Sequence, residues 1–373
     1  MLRSLVGALA LACASYGPTA LGAVPPGRSA AGVRALSADS LRVFEVEEIA
    51  DGVFAALVVA RPDAYAFANS LIVIGTEGVL VVDTQQSTRA AQELIRLVRR
   101  LSPLPVQWVV NTHWHGDHVY GNVAYRDAFP GVRFLAHPET VVGMREQGAA
   151  RRADELSTLP ESIAERQLWL DEGSLPDGRA LTPGQRDQVT YSLELRRNYF
   201  AMLRALEIVE PEGTIDARRS IDLGGRLVEL IPLGPAHTEG DVGVLVPDAS
   251  VLAVGDLLEM APPWIDGAAS LAGWADALNR VSLEGASILL PSHGGVQRGG
   301  ELLARESALF TELTDLAARA VSESWGPDRI SEEMALDSHR GFLEGLGLDE
   351  AGFLDWRTRA VAMALGQARA LRR

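Results

Sequence analysis

Lysine is absent from this sequence: all 34 basic residues are arginine, against 49 acidic ones, for a formal charge of −15. Proteins that hold phosphate backbones do so with clusters of Lys and Arg, so a nucleic-acid partner and nuclease-type functions are not expected. Any anionic group on a substrate has to be met by Arg, a backbone N–H or a bound cation. Cysteine is nearly absent as well. The sole one, Cys13, lies near the N-terminus and leaves no disulfide to staple a fold. Aromatic residues make up only 6%. No stretch beyond the first two dozen residues approaches the roughly 20 uninterrupted apolar positions of a membrane span, so none is expected.

What is present is apolar bulk. At 47% hydrophobic over 373 residues, the chain can bury one large core or two. Residues 1–23 read as a signal peptide: Arg3 supplies a positive start, Leu5 to Ala14 an apolar centre, and Ala20-Leu21-Gly22-Ala23 a small-residue cleavage region. A periplasmic or secreted protein is the expectation, with lipid anchoring at Cys13 the minor reading. Residues 24–40, rich in Pro, Gly, Ala and Ser, read as a linker.

From about residue 41, short β-rich runs alternate with Gly, Pro and Asp breakers: Val43 to Val46, Val53 to Val59, Asn69 to Ile74 and Val79 to Val82. A helix then starts at the N-cap Ser87 and ends at Ser102-Pro103. Residues 139–212 read as a charged helical insertion, with helices near 139–156, 159–171 and 185–208. It is expected to act as a lid or dimer surface, or else as a helical hairpin that covers an exposed sheet face, with Val142, Met144, Leu168, Trp169, Tyr199, Phe200 and Leu203 on its inner faces. Strands return from Ser220 to Val254, and residues 301–373 read as a helical extension without a motif. Two strand sets with helices outside predict an α/β fold, an αββα sandwich over residues 41–300.

The chemistry is concentrated after the strand Val106 to Val110, where His113, His115, Asp117 and His118 follow within eight residues. Three of only 7 histidines fall there. Imidazoles and carboxylates are the donors that suit zinc and its neighbours, and crowding them at a strand end is costly unless a cation compensates them.

This His-x-His-x-Asp-His segment resembles the motif of the metallo-β-lactamase superfamily, as do four further segments. They are Val81-Val82-Asp83-Thr84, Gly234-Pro235-Ala236-His237-Thr238-Glu239-Gly240-Asp241, Val254-Gly255-Asp256-Leu257 and Pro291-Ser292-His293-Gly294. The resemblance covers about residues 43–300. It implies two zinc ions per chain: His113, His115 and His237 at the first, Asp117, His118 and His293 at the second, and Asp256 bridging. It also implies a hydrolase that uses a metal-bound hydroxide on a small-molecule substrate. Asp117 is then the catalytic carboxylate, and Asp83 lies behind the ligands and fixes an imidazole.

Trp114, Glu259 and Trp264 are the pocket candidates, with Tyr120, Met260 and Trp274 as further aromatic or apolar options. His137 is expected to pack or cap a helix, His339 to lie at the surface, and Asp241 to serve either a turn or the site. The best-known zinc β-lactamases carry Cys where Asp256 stands and often Lys where Glu259 stands. An acid there is expected to repel a β-lactam carboxylate. A small ester, lactone or amide is therefore the expected substrate, with β-lactams or an iron-dependent persulfide dioxygenase as alternatives.

Overall fold

The computed structural model describes residues 43–59 and 67–372. The expected signal peptide, the linker and Cys13 lie outside these residues. A seven-stranded sheet runs in chain order: β1 (Phe44–Ala50), β2 (Val53–Val58), β3 (Ser70–Ile74), β4 (Val79–Val82), β5 (Val106–Val110), β6 (Arg133–Ala136) and β7 (Gly213–Thr214). The first four strands are antiparallel neighbours, and β4 to β7 are parallel. The crossovers that parallel pairing requires are helical. They contain α1 (Thr88–Leu101), then α2 (Gly116–Val119) with α3 (Asn122–Ala128), then the insertion, with α4 (Pro138–Gly143), α5 (Ala149–Glu172) and α6 (Pro183–Ala205).

A second sheet of six strands follows: β8 (Arg219–Asp222), β9 (Leu227–Pro232), β10 (Val242–Val246), β11 (Val251–Glu259), β12 (Ile288–His293) and β13 (Gln297–Arg298), in the order β13-β12-β11-β10-β9-β8. Helix α7 (Leu271–Leu283) makes the parallel crossover from β11 to β12. The C-terminal helices are α8 (Glu301–Ser322), α9 (Pro327–Glu333), α10 (Asp337–Gly345) and α11 (Glu350–Ala370). No helix among the described residues is long and apolar enough to cross a membrane.

Strand alternation builds the layers. Leu71, Val73, Leu80 and Val82 point inward and pack with Leu230, Val244, Val251 and Leu290 of the facing sheet. Their neighbours Ile72, Val79 and Val81 point outward against Leu94 and Val98 of α1 and Tyr125 of α3. On the far side, Leu252 and Leu257 of β11 meet Trp274 of α7, Phe310 of α8 and Trp356 of α11. The result is the expected αββα order, with one apolar core between the sheets and one under each helical layer.

The C-terminal extension is helical, as expected, and its Phe310, Phe353 and Trp356 are buried in the same core as Trp274. In that packing His339, expected at the surface, is 9% exposed, with Nε2 3.0 Å from Glu312 Oε2. In the insertion, the break expected between 156 and 159 does not occur. Helix α4 continues through a π-helical turn (Met144–Gly148) into α5, which runs through Pro160. Pro160 lies on the exposed side, where water can satisfy the carbonyl that its missing N–H leaves unpaired.

The insertion forms a hairpin of α5 on α6. Thr182 caps α6 in a reciprocal box with Gln185, and Arg152 donates to the carbonyls of Leu203 and Leu206 at its C-terminal end. Its inner faces are less apolar than expected. Val142 and Leu168 are exposed, while Arg166 and Arg196 reach across to Ser192 and Ser162, respectively. The base is apolar, where Met144, Tyr199 and Leu203 bury against Trp114 and Tyr120. The hairpin is therefore anchored on the histidine-bearing loop.

Candidate metal centre

Each strand that ends at this edge delivers part of the site. β5 runs into Asn111-Thr112, and the next turn places His113 and His115 before α2 carries Asp117 and His118. β11 carries Asp256 immediately after Gly255, whose φ is +61°. A Cβ on Gly255 would stand 3.0 Å from the Thr112 Cβ, so glycine lets the two sheets close at this point. β12 ends at His293, and the loop between β9 and β10 holds His237. Asp241 in that loop accepts from both the N–H and the hydroxyl of Thr238, at 2.9 Å each, which is the turn role. His137 caps α4, its Nδ1 accepting from the Glu139 N–H.

The donors converge as two groups. His113 Nε2 and His237 Nε2 each lie 3.1 Å from His115 Nδ1, and both are 3.5 Å from Asp256 Oδ2. In the second group, Asp117 Oδ2 is 3.5 Å from Nε2 of both His118 and His293. Asp256 stands between the groups, with Oδ1 3.3 Å from His118 Nε2 and Oδ2 3.5 Å from His293 Nε2. Zinc bound tetrahedrally at about 2.0–2.1 Å spaces its donors about 3.3–3.4 Å apart. The observed spacings of 3.1–3.5 Å are therefore those of groups able to close on a cation. All seven side chains that the superfamily motif implies are brought together here.

Most of the far ring nitrogens are anchored, which sets the tautomer and the aim of each imidazole. His118 Nδ1 is 2.8 Å from Asp83 Oδ2, His293 Nδ1 is 3.1 Å from the Phe67 carbonyl, and His113 Nδ1 is 3.1 Å from Thr112 Oγ1. Asp83 adopts φ 61°, a strained region that Asp tolerates better than most residues, and is held there by the Thr112 N–H and hydroxyl at 2.8 Å each.

Sequence reasoning missed Asp266, whose Oδ2 meets His115 Nε2 at 3.3 Å and the Arg151 guanidinium of α5 at 2.7 Å. No motif marks it, since 151 positions separate it from His115. Asp266→Ala should weaken the first cation by about 10- to 100-fold, the usual consequence of losing a carboxylate behind a ligand histidine. Competition with a chromogenic chelator measures this. An affinity within threefold of the parent would mean that Asp266 serves the insertion and not the ligand.

Electrostatics separates the two groups. Burial drives the pKa of His237 down to about 3 and that of His113 well below its usual value, so both present neutral lone pairs. His118 and His293 are different. Burial opposes their protonation, but Asp256 and its neighbours outweigh it, raising His293 to about 10 and His118 well above its usual range. A cation entering the second position must displace those protons, so loading there weakens as pH falls.

The pocket candidates are placed less uniformly. Trp114 is 3% exposed and packs beneath the insertion beside a cavity of about 180 Å³. A Cβ on Gly143 would come within 2.4 Å of its ring, so the insertion bears directly on the residue between two ligands. Trp264 is half-buried and Met260 exposed, whereas Trp274 is fully buried, stacked on Phe310 and edge-on to His237. Glu259, the remaining pocket candidate, is 3% exposed, because β11 is buried along its whole length and α8 covers its end.

Two facing sheets with helices outside, and cation donors gathered at one edge, define a class of metal-dependent hydrolases. The chain belongs to the metallo-beta-lactamase superfamily, whose family model matches residues 65–293. A metallo-beta-lactamase from Pontibacter korlensis is similar in structure, with a TM-score of 0.51 and 20% identity over 72% of this chain and 99% of that one. The metallo-beta-lactamase FIM-1 from Pseudomonas aeruginosa, in a mono-zinc form, gives a TM-score of 0.50 and 18% identity over 72% and 95%. Among curated proteins, a linear primary-alkylsulfatase from Pseudomonas sp. (strain ATCC 19151) is 20% identical over 275 residues. That match covers 70% of this chain, which spans about half (49%) of the relative's length.

Proposed function

We propose that this chain hydrolyses a small, largely apolar ester, lactone or amide, and that it works outside the cytoplasm, in the periplasm or secreted. The observation that carries the reading is the convergence of two donor groups on Asp256, with Asp117 and His293 the members whose side chains keep some exposure, 17% and 26%. Three imidazoles at tetrahedral spacing suit zinc at the first position, and the second group suits another divalent cation. When bound, paired cations lower the pKa of water toward neutrality and polarise the group to be cleaved.

The chain's own residues supply the rest. Burial pushes the Asp117 carboxyl up, but His118 and His293 more than offset this and hold it at about 2. It is therefore ionised at neutral pH, and from the opening it can orient an attacking water as hydrogen-bond acceptor and pass a proton to the leaving group. Asp83 and Asp266 fix His118 and His115, so the site is organised before substrate arrives. Hydrolysis of a sulfate ester is the second reading, favoured by the name of the alkylsulfatase relative.

A panel of neutral activated esters, lactones, a thioester, a cephalosporin and a linear alkyl sulfate tests this on protein carrying its native metals. Neutral esters or lactones should turn over at least about tenfold faster, as kcat/KM, than the β-lactam. Turnover confined to the alkyl sulfate would replace the first reading with the second. A single iron per chain with oxygen consumed alongside a persulfide would end both. N-terminal sequencing of the mature chain tests the export proposal, with a start near residue 24 expected.

A further inference from the structure

One carboxyl beside the seven donors has no assignment. Glu259 lies at the end of β11, opposite His293 on β12, and one of its carboxyl oxygens falls within 4.8 Å of donor atoms of both Asp256 and His293. It is 3% exposed, and its Oε1 is buried without a hydrogen-bond partner. Its surroundings do not compensate it. Among the described residues no arginine pairs with it, and the next carboxyl along is Glu306 of α8, itself fully buried, with Oε2 also unpartnered. Glu306 Oε1 accepts from the Glu259 N–H at 3.3 Å and so fixes the backbone that carries Glu259.

A buried carboxyl with an unmet oxygen, beside a second carboxyl and two acidic ligands, is a heavy electrostatic cost for a fold to retain. A cation within reach removes that cost. We propose that Glu259 is a ligand of the second cation: it forms one donor group with Asp256 and His293, and His293 belongs also to the group of Asp117 and His118, so three carboxylates and two imidazoles adjoin that position. Oxygen-rich, higher-coordination sets favour harder divalent ions such as Mn²⁺ or Fe²⁺ over tetrahedral zinc. The two positions are therefore chemically unequal, with a nitrogen-rich one for zinc and an oxygen-rich one for a harder ion.

The inference rests on the two-metal reading of the site but not on the substrate, so the test reads metal and not turnover. Full-length protein, stripped and then loaded with one equivalent of Zn²⁺, is titrated with Mn²⁺ by calorimetry and by the Mn²⁺ electron paramagnetic resonance signal. Glu259→Gln should weaken the Mn²⁺ bound in this second step at least tenfold while zinc stays near one per chain. Mn²⁺ affinity within twofold of the parent, in a variant that keeps its zinc, overturns the proposal. Should the variant not fold, anomalous diffraction from parent crystals soaked in Mn²⁺ answers the same question. Glu259 at bonding distance from the second ion supports the assignment, and Glu259 turned away from it overturns it. Absence of hydrolysis, with Mn²⁺ binding as described, would count against the proposed function alone.

Discussion

Replacing Asp256 with alanine is expected to reduce bound metal from about two cations per chain to one or fewer and to lower kcat/KM at least about 10³-fold. The geometry makes this the most damaging single change. Asp256 lies within 3.5 Å of donor nitrogens from both groups, those of His113 and His237 on one side and His118 and His293 on the other. Its carboxylate is held well below the ordinary range, since burial is outweighed by His118, His293 and His113. Losing it leaves each cation short of a donor and leaves the pair with nothing negative between them. Metal analysis and steady-state kinetics on the purified variant measure both effects. Retention of two cations with turnover within tenfold of the parent would show that Asp256 does not bridge.

Stripping the metals should lower the melting temperature by more than about 10 °C, given roughly 4 kcal/mol from each ion held at a thousand times its Kd. Two buried acids, Asp256 and Glu259, and the partly exposed Asp117 converge there. Without cations the binding free energy that the ions add to the folded state is lost, and the buried Glu259 carboxyl is left uncompensated. Calorimetric melting before and after a chelator, then after adding zinc back, reads the effect. Identical melting curves would mean that the donors impose no strain of their own and that metal binding is uncoupled from folding.

The fold and the donor set were open to sequence reasoning to different depths. Strand alternation is local, so Leu71 and Val73 against Ile72 already separate an inner face from an outer one, and two strand sets with helices beyond them imply four layers. The histidines were legible because they are scarce and crowded. Other features were hidden by distance along the chain. Asp266 and Glu306 carry no motif, and each acquires meaning only from a contact across 151 and 47 positions, respectively. The packing of the C-terminal helices was not legible because a helix's apolar stripe does not name its partner, and the partner here is Trp274 and the outer face of β11.

Pro160 and Glu259 show how tertiary context sets what a residue does. Proline reads as a helix stop because an internal N–H is lost, yet on a solvent-facing side water can replace the bond, and α5 continues. Glutamate is costly to bury alone. Here its β11 strand is buried along its length, and two other side chains of the site, those of Asp256 and His293, lie close enough to share a cation. What the sequence determined by itself was which side chains exist to hold metal and the periodicities that make sheets and helices, because both are properties of residues and near neighbours. What only the tertiary structure decided was which distant groups stand behind those donors, because burial, and with it the electrostatic need of a carboxyl, arises only when separate elements close over one another.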